Sequence, residues 1–449
     1  AQANGKDSLA SDSRSKPCQL RGPMDSSDAE RGKVQPLHTE PGLNGGQEES
    51  QHDAGFMEDD LPPVRSLLLP MTCVFQGYAA YVVLQRFLKA QLDAGASESK
   101  TEMFTFATTL MHWGKLASRV GHDVFFACLS TQVRVLLAMA LVLVAVLIPP
   151  VCAWGFGSDW IGIAVWHFGV LGIGCGVFES NFLSVIAPLG KLTKAWAIIG
   201  CPLGLAIVDV FCQLLHSKAV FNLSPVFFYA YIALCMPVGM WVFWKNAPKA
   251  RTTAHRQANI ISSLRDWRRW LPMMLPFFVA RAIASFVMEN TPGWFYVYNG
   301  AKVPLFGPTA TKNFIDPDLY FVLIYIAVLL GDGISRRVVY LLPLDTLRSN
   351  VAMLTVAIFC SIGGFFLESL AIAVVTFLAA FFAFWGNGFG YAITTKYIDC
   401  FMPKEHSRAV YSIWCMASDL GGILGAGVVL WVNSIFCHGH ASAYECVGT

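Results

Sequence analysis

Long apolar runs follow one another from residue 66 to residue 435. A helix crosses the hydrocarbon core of a bilayer in about 20 mostly apolar residues. Eleven stretches reach that length: 66–90, 102–122, 132–154, 160–187, 195–217, 225–245, 271–290, 319–342, 349–367, 370–396 and 407–435. The 449 residues are 55% hydrophobic and 14% charged, where soluble domains carry about 25% charge. Water cannot be the solvent for most of this surface. The reading is an all-α, polytopic membrane protein of about eleven transmembrane helices, its first partner the lipid bilayer.

Polar segments divide the chain. Residues 1–60 hold 6 Lys/Arg and 12 Asp/Glu among Ser, Gly, Gln and Pro. They cannot bury enough apolar surface to offset their ordering entropy, so a disordered tail is expected, one that offers a surface to cytosolic partners. It has no apolar core of a signal peptide. The basic connector at 246–270 separates six spans (61–245) from five (271–435), with a short tail at 436–449. Two helical lobes joined by a long loop fit a bundle of the major-facilitator type. With the tail left out, 15 Lys/Arg fall on the side of the N-terminus and the connector. Lys100, Lys218, Lys302 and Lys312 alone fall on the other. Basic loops stay in the cytosol, so the N-terminus is expected there and the C-terminus in a lumen or outside the cell. The sequon Asn222-Leu223-Ser224 lies on the non-cytosolic side of that layout.

Ionisable groups at membrane depth are costly, and they line pathways or pair internally. Glu179 follows Gly172, Gly174 and Gly176, with Asn181 beside it. It is a candidate proton carrier or a helix lock. Arg281 and Glu289 lie eight residues apart in the seventh span. They are expected on one face, Arg281 meeting an anionic substrate or a carboxylate of the other lobe. Asp332 and Arg336 are spaced to pair on one helix face, at a cytosolic gate. Asn387 sits among glycines, Lys396 and Asp399 where that span exits, and Asp419 ahead of Gly421 and Gly422. The pathway set is therefore Glu179, Asn181, Arg281, Glu289, Asn387 and Asp419. The gating set is Asp332, Arg336, Lys396 and Asp399. The second span, with His112, Lys115 and Arg119, is the least apolar and must face protein or a cavity. Asp209, His112 and Lys115 are weaker candidates.

Other chemistry lacks support. No Walker A, H-E-x-x-H, G-x-S-x-G or dinucleotide fingerprint occurs, so neither an enzyme nor a cofactor is expected. A net charge of +2 argues against a nucleic-acid partner. The 13 cysteines form no C-x-x-C pair, and Cys437, His438, His440 and Cys446 fit no zinc spacing. A Cys437–Cys446 disulfide is the stronger reading. The last four residues formally fit C-a-a-X, with poor matches at Gly448 and Thr449.

Several segments resemble the battenin family of lysosomal membrane proteins. They are Glu179–Ser184 with Ala195-Trp196 and Gly200–Gly204; Ser263-Leu264-Arg265 and Glu289-Asn290; Ser335-Arg336; and Glu405-His406, Arg408, Cys415 and Ser418-Asp419. The resemblance covers roughly 160–435, with Tyr81–Leu84 the best piece before it. It implies a lysosomal, vacuolar or endosomal membrane protein that affects lumenal pH and moves small polar metabolites, such as glycerophosphodiesters or basic amino acids. Equilibrative nucleoside transporters are similar in span count, but Ser335 stands where their Asp-x-x-Gly-Arg pattern has glycine. Two functions follow. One is a secondary transporter, with Glu179 and Asp419 linked to protons and Arg281 to the substrate. The other is a non-transporting adaptor that uses the tail and the connector.

Overall fold

The computed structural model describes residues 62–126, 128–216, 221–248, 260–290, 303–306, 313–368, 370, 372–403 and 406–440. All belong to one compact unit, Ser50–Thr449; a second unit, Ala1–Glu49, lies outside the described residues. So do the rest of the polar tail, the centre of the basic connector, Lys218, Lys302, Lys312, Glu405 and the residues from 441 onward. The side chains of Arg408, Cys437, His438 and His440 are outside as well, and with them the disulfide and C-a-a-X readings.

The first half of the bundle holds α1 (Leu68–Val82), α2 (Gln85–Gln91), α3 (Glu98–Phe125), α4 (Thr131–Pro149), α5 (Gly162–Ile186), α6 (Lys191–Ala197), α7 (Gly200–His216) and α8 (Pro225–Asn246). After the short α9 (Ile260–Arg265) come α10 (Trp267–Asn290), α11 (Pro317–Leu341), α12 (Leu347–Glu368), α13 (Ala373–Phe401) and α14 (Ser407–His440). A two-residue ribbon of β1 (Val303–Pro304) and β2 (Phe314–Ile315) precedes α11. Among the described residues, nine helices are long and apolar enough to span a bilayer, and the pair α1–α2, bent by 44°, makes a tenth. The remaining long helix is α3, whose 28 residues carry the charge expected of the second span. The chain is a multi-pass membrane protein.

Local chemistry sets the helix ends. The side chains of Ser97, Ser130 and Ser224 accept from backbone N–H groups of the first turns of α3, α4 and α8, which satisfies donors a helix start leaves orphaned. Pro225 follows at the first helical position of α8, where its missing N–H costs nothing. Pro149 and Pro150 end α4 in a wider π turn, Pro150–Gly155.

The two halves repeat one packing plan. In the first, α1 packs on α7, α3 on α5, and α4 on α5. In the second, α10 packs on α14, α11 on α13, and α12 on α13. Contacts between the halves are reciprocal too: α3 meets α14, and α11 meets α7. This is the layout of an internal repeat in two lobes. Glycines set the spacing. Gly172 and Gly176 lie against the α3 backbone at Met111 and Lys115, while Gly174 faces Ala138 and Val142 of α4. One run of three glycines thus lets α5 touch two helices.

Candidate functional site

Helix α3 carries His112, Lys115 and Arg119 at offsets of 0, 3 and 7, which is one helix face. That face points inward: His112, Lys115 and Arg119 are buried, whereas Phe106, Trp113, Val120 and Val124 of the same helix are exposed. An outer surface of that kind suits lipid, and a charged inner one must meet protein. The close approach of α5 at Gly172 and Gly176 brings partners within reach.

Arg119 is the centre. Its Nε donates to Asp419 Oδ2 at 2.5 Å and its Nη2 to Asp419 Oδ1 at 3.4 Å. Nη2 also pairs with Glu179 of α5, and Nη1 donates to Ser180 Oγ at 3.4 Å. Lys115 Nζ lies 3.3 Å from Asp419 Oδ1 and over the ring of Tyr78. One helical turn further, His112 Nε2 is 3.3 Å from Glu289 Oε1 of α10 and 3.2 Å from the Tyr81 hydroxyl of α1. The side chains of Arg119 and Asp419 are 1% and 0% exposed. Glu179 and Glu289 keep 16% and 21%, so the two carboxylates at the edge of the network are its less buried members.

A second cluster belongs to the other lobe. Arg336 Nε and Nη2 donate to the two oxygens of Asp332 at 3.1 and 3.0 Å, a bidentate fork of the stronger kind. Asn387 Nδ2 donates to Asp332 Oδ1 at 3.4 Å, and Arg281 Nη1 donates to Asn387 Oδ1 at 2.7 Å. Both guanidinium groups lie over Tyr391, and Arg281 also over Trp414. Arg336 crosses to the first lobe through Ile198 O at 3.4 Å. Arg281, Asn387, Tyr391 and Trp414 line a narrow cleft with about 10 Å³ of free space, roughly one water molecule. Arg281 Nε is buried there without a hydrogen-bond partner.

A third contact lies near the end where α13 finishes and α14 begins. Lys194 Nζ of α6 meets Asp399 Oδ1 of α13 at 2.5 Å. Tyr411 of α14 donates to the same oxygen at 3.0 Å. Lys396 donates instead to the Leu342 and Val339 carbonyls at 2.6 and 3.4 Å, where the last turn of α11 leaves acceptors free.

The expected residues therefore fall into groups. Glu179, Asp419 and Glu289 meet on the basic face of α3. Asp332, Arg336, Asn387 and Arg281 meet in the second lobe. Asn181 joins neither, for its amide donates back to Val177 O at 2.7 Å on its own helix. Arg281 and Glu289 do not share partners either. Eight residues at about 100° each leave them about 80° apart, enough to send one to Asn387 and the other to His112. The residues underrated from sequence were His112, Lys115, Arg119 and Lys194. The first three were legible in their spacing; Lys194 gave no signal beyond its place in a basic loop. Among the described residues, no group of three or more His, Cys, Asp or Glu could hold a metal ion.

The fold is major-facilitator-like. The chain is similar to the superfamily transporter FucP in its outward conformation, with a TM-score of 0.56 and 13% identity over 83% of this chain and 92% of that one. It is also similar to a variant of the E. coli fucose:proton symporter FucP, with a TM-score of 0.54 and 15% identity over the same shares. No protein-family model and no curated protein matches the chain.

Proposed function

We propose that this protein is a secondary transporter, battenin-like, that moves small polar metabolites across a lysosomal, vacuolar or endosomal membrane in exchange with or alongside protons, and so affects lumenal pH. The observation that carries the reading is the placement of charge. Arg119–Asp419, Lys115–Asp419, His112–Glu289 and Lys194–Asp399 all join a helix of one lobe to a helix of the other. Two rigid lobes that rock about a central site must break and remake contacts at their interface. Ion pairs there can do so, because each charge regains water when the passage opens. An adaptor has no such need. The proton symporter of the same fold supports proton coupling. The battenin resemblance supports the compartment and glycerophosphodiesters or basic amino acids as substrates. Arg281, with a free guanidinium N–H facing a cleft, contacts the substrate's anionic group. The N-terminus is cytosolic, and its tail serves cytosolic partners.

The test is uptake into proteoliposomes of radiolabelled glycerophosphodiesters, basic amino acids and nucleosides, with and without a pH gradient. Asp419→Asn removes the carboxylate that both cations share. It is expected to lower uptake by about tenfold or more, as loss of a buried charge partner implies. Uptake by the variant equal to wild type would overturn the role of Asp419, and no uptake of any of these solutes by the wild type would overturn the carrier in favour of an adaptor. Nucleoside uptake alone would replace the battenin-like substrate with that of the equilibrative nucleoside carriers.

A further inference from the structure

The interlobe contact at His112 has a feature the other ion pairs lack. Nε2 sits between two oxygens, Glu289 Oε1 and the Tyr81 hydroxyl, whereas Nδ1 is buried without a hydrogen-bond partner. Nδ1 faces Gly422 of α14, so closely that a Cβ added there would lie 2.8 Å from it. Neutral imidazole satisfies this geometry with its proton on Nε2, donated to Glu289, and a bare lone pair on Nδ1. The imidazolium does not. Both of its nitrogens are donors, and a buried N–H⁺ with no acceptor carries the full desolvation penalty of a charged group.

The surroundings attract that extra charge all the same. Glu289 of α10 and Asp419 of α14 act on His112 as anions. Lys115 on its own helix opposes them, and Glu179 and Cys175 of α5 lie toward Arg119 and Lys115. Tyr78 and Tyr81 of α1 complete the wall. His112, Lys115, Arg119, Glu179, Glu289 and Asp419 together sum to one net negative charge while the imidazole is neutral. One proton balances the set. The contact with α14 leaves that proton no acceptor at Nδ1.

We infer that His112 is the proton-binding residue of the carrier, and that protonation at Nδ1 requires α14 to leave α3 at Gly422. The present arrangement is then the form with neutral His112. A proton taken from the acidic side binds the separated form more tightly, and a ligand with such a preference shifts the population toward it. This inference rests on the carrier reading for its use, but its switch can be measured without any substrate.

The experiment is hydrogen exchange of the full chain in lipid nanodiscs, followed in α14 around Ser418–Gly425 and corrected for intrinsic rates. Between about pH 7.5 and 5.5, across the ordinary imidazole range, exchange is expected to rise by about tenfold, the effect of one pKa unit between two conformations. His112→Gln, which keeps an N–H for Glu289, is expected to abolish the rise. An undiminished rise in His112→Gln overturns the assignment. Should that variant fail to fold, Glu289→Gln serves: loss of the carboxylate 3.3 Å from Nε2 is expected to shift the midpoint of the response, and an unchanged midpoint overturns the pairing. A wild-type response without metabolite uptake would leave the switch and remove the carrier. Uptake that keeps its pH dependence in a chain whose α14 does not respond would do the reverse.

Discussion

Arg119 shows what one side chain does in this bundle. It holds carboxylates from two other helices, one in each lobe, and a lysine would lack the planar fork to do so. Its removal leaves Glu179 without its cation and Asp419 with Lys115 alone. Arg119→Met is expected to destabilise the protein by about 3–5 kcal/mol, the cost of breaking a buried pair from one side. Adding Glu179→Met removes the stranded charge, and contacting residues are not additive. The double variant should therefore unfold at a higher temperature than Arg119→Met in thermal scans of purified protein in detergent. A double variant less stable than the single one would show that Glu179 does not depend on Arg119. At this scale the sequence was only half legible. The offsets of His112, Lys115 and Arg119 define a face, and the cost of charge in lipid says that the face is inward. Their partners could not be read, because Arg119 and Asp419 are 300 residues apart and nothing local links them. Arg281 and Glu289 misled for the opposite reason. Near neighbours in sequence, they are turned apart by the helix itself.

At the scale of elements, hydropathy made nearly everything visible. All eleven apolar stretches are helices, since a backbone in lipid must satisfy its own hydrogen bonds. Hydropathy does not show where a span breaks. The bend at α1–α2 and the interruption between α6 and α7 occur inside runs that read as continuous. Glycine spacing was the better guide to contact, and it separates two kinds of position. A Cβ on Gly172 would collide with the Met111 backbone, whereas one on Gly363 of α12 meets nothing within 4 Å. Backbone cannot give way as a flexible side chain can. Gly172→Val is therefore expected to cost about 1–3 kcal/mol or more through overpacking, and to loosen the Arg119 contacts by pushing α3 from α5. Gly363→Ala should instead stabilise α12 by about 0.5–1 kcal/mol, because glycine is a poor residue for a helix interior. Thermal unfolding of both variants beside wild type checks the contrast, and equal losses would mean that the α3–α5 approach is not tight.

For the whole molecule, the governing fact is that the two halves share a packing plan and touch through charge. The α3–α14 and α7–α11 contacts are equivalent under the repeat, yet they are filled differently. Arg119 and Lys115 hold Asp419 in one. In the other, the Asp332–Arg336 pair is complete on its own helix, and Arg336 reaches the opposite lobe at the Ile198 carbonyl and the Cys201 sulfur, neither of them a charge. The second contact can slide without stranding a charge. The first cannot, and neither can Lys194–Asp399, so the carrier proposed above would be gated at those places. If Lys194–Asp399 closes one end of the passage, its sign is arbitrary and only complementarity counts. Lys194→Asp alone would set two carboxylates against each other, and Asp399→Lys alone would set two cations together. Like charges so placed cost several kcal/mol, and each variant is expected to lose about tenfold or more of its proteoliposome uptake. The exchanged pair, Lys194→Asp with Asp399→Lys, restores the attraction, with the Tyr411 hydroxyl able to donate to the relocated carboxylate. Uptake should recover substantially in that double variant. If the exchange is as inactive as either single change, the pair is a fixed brace between the lobes, and the gate must lie elsewhere along their interface.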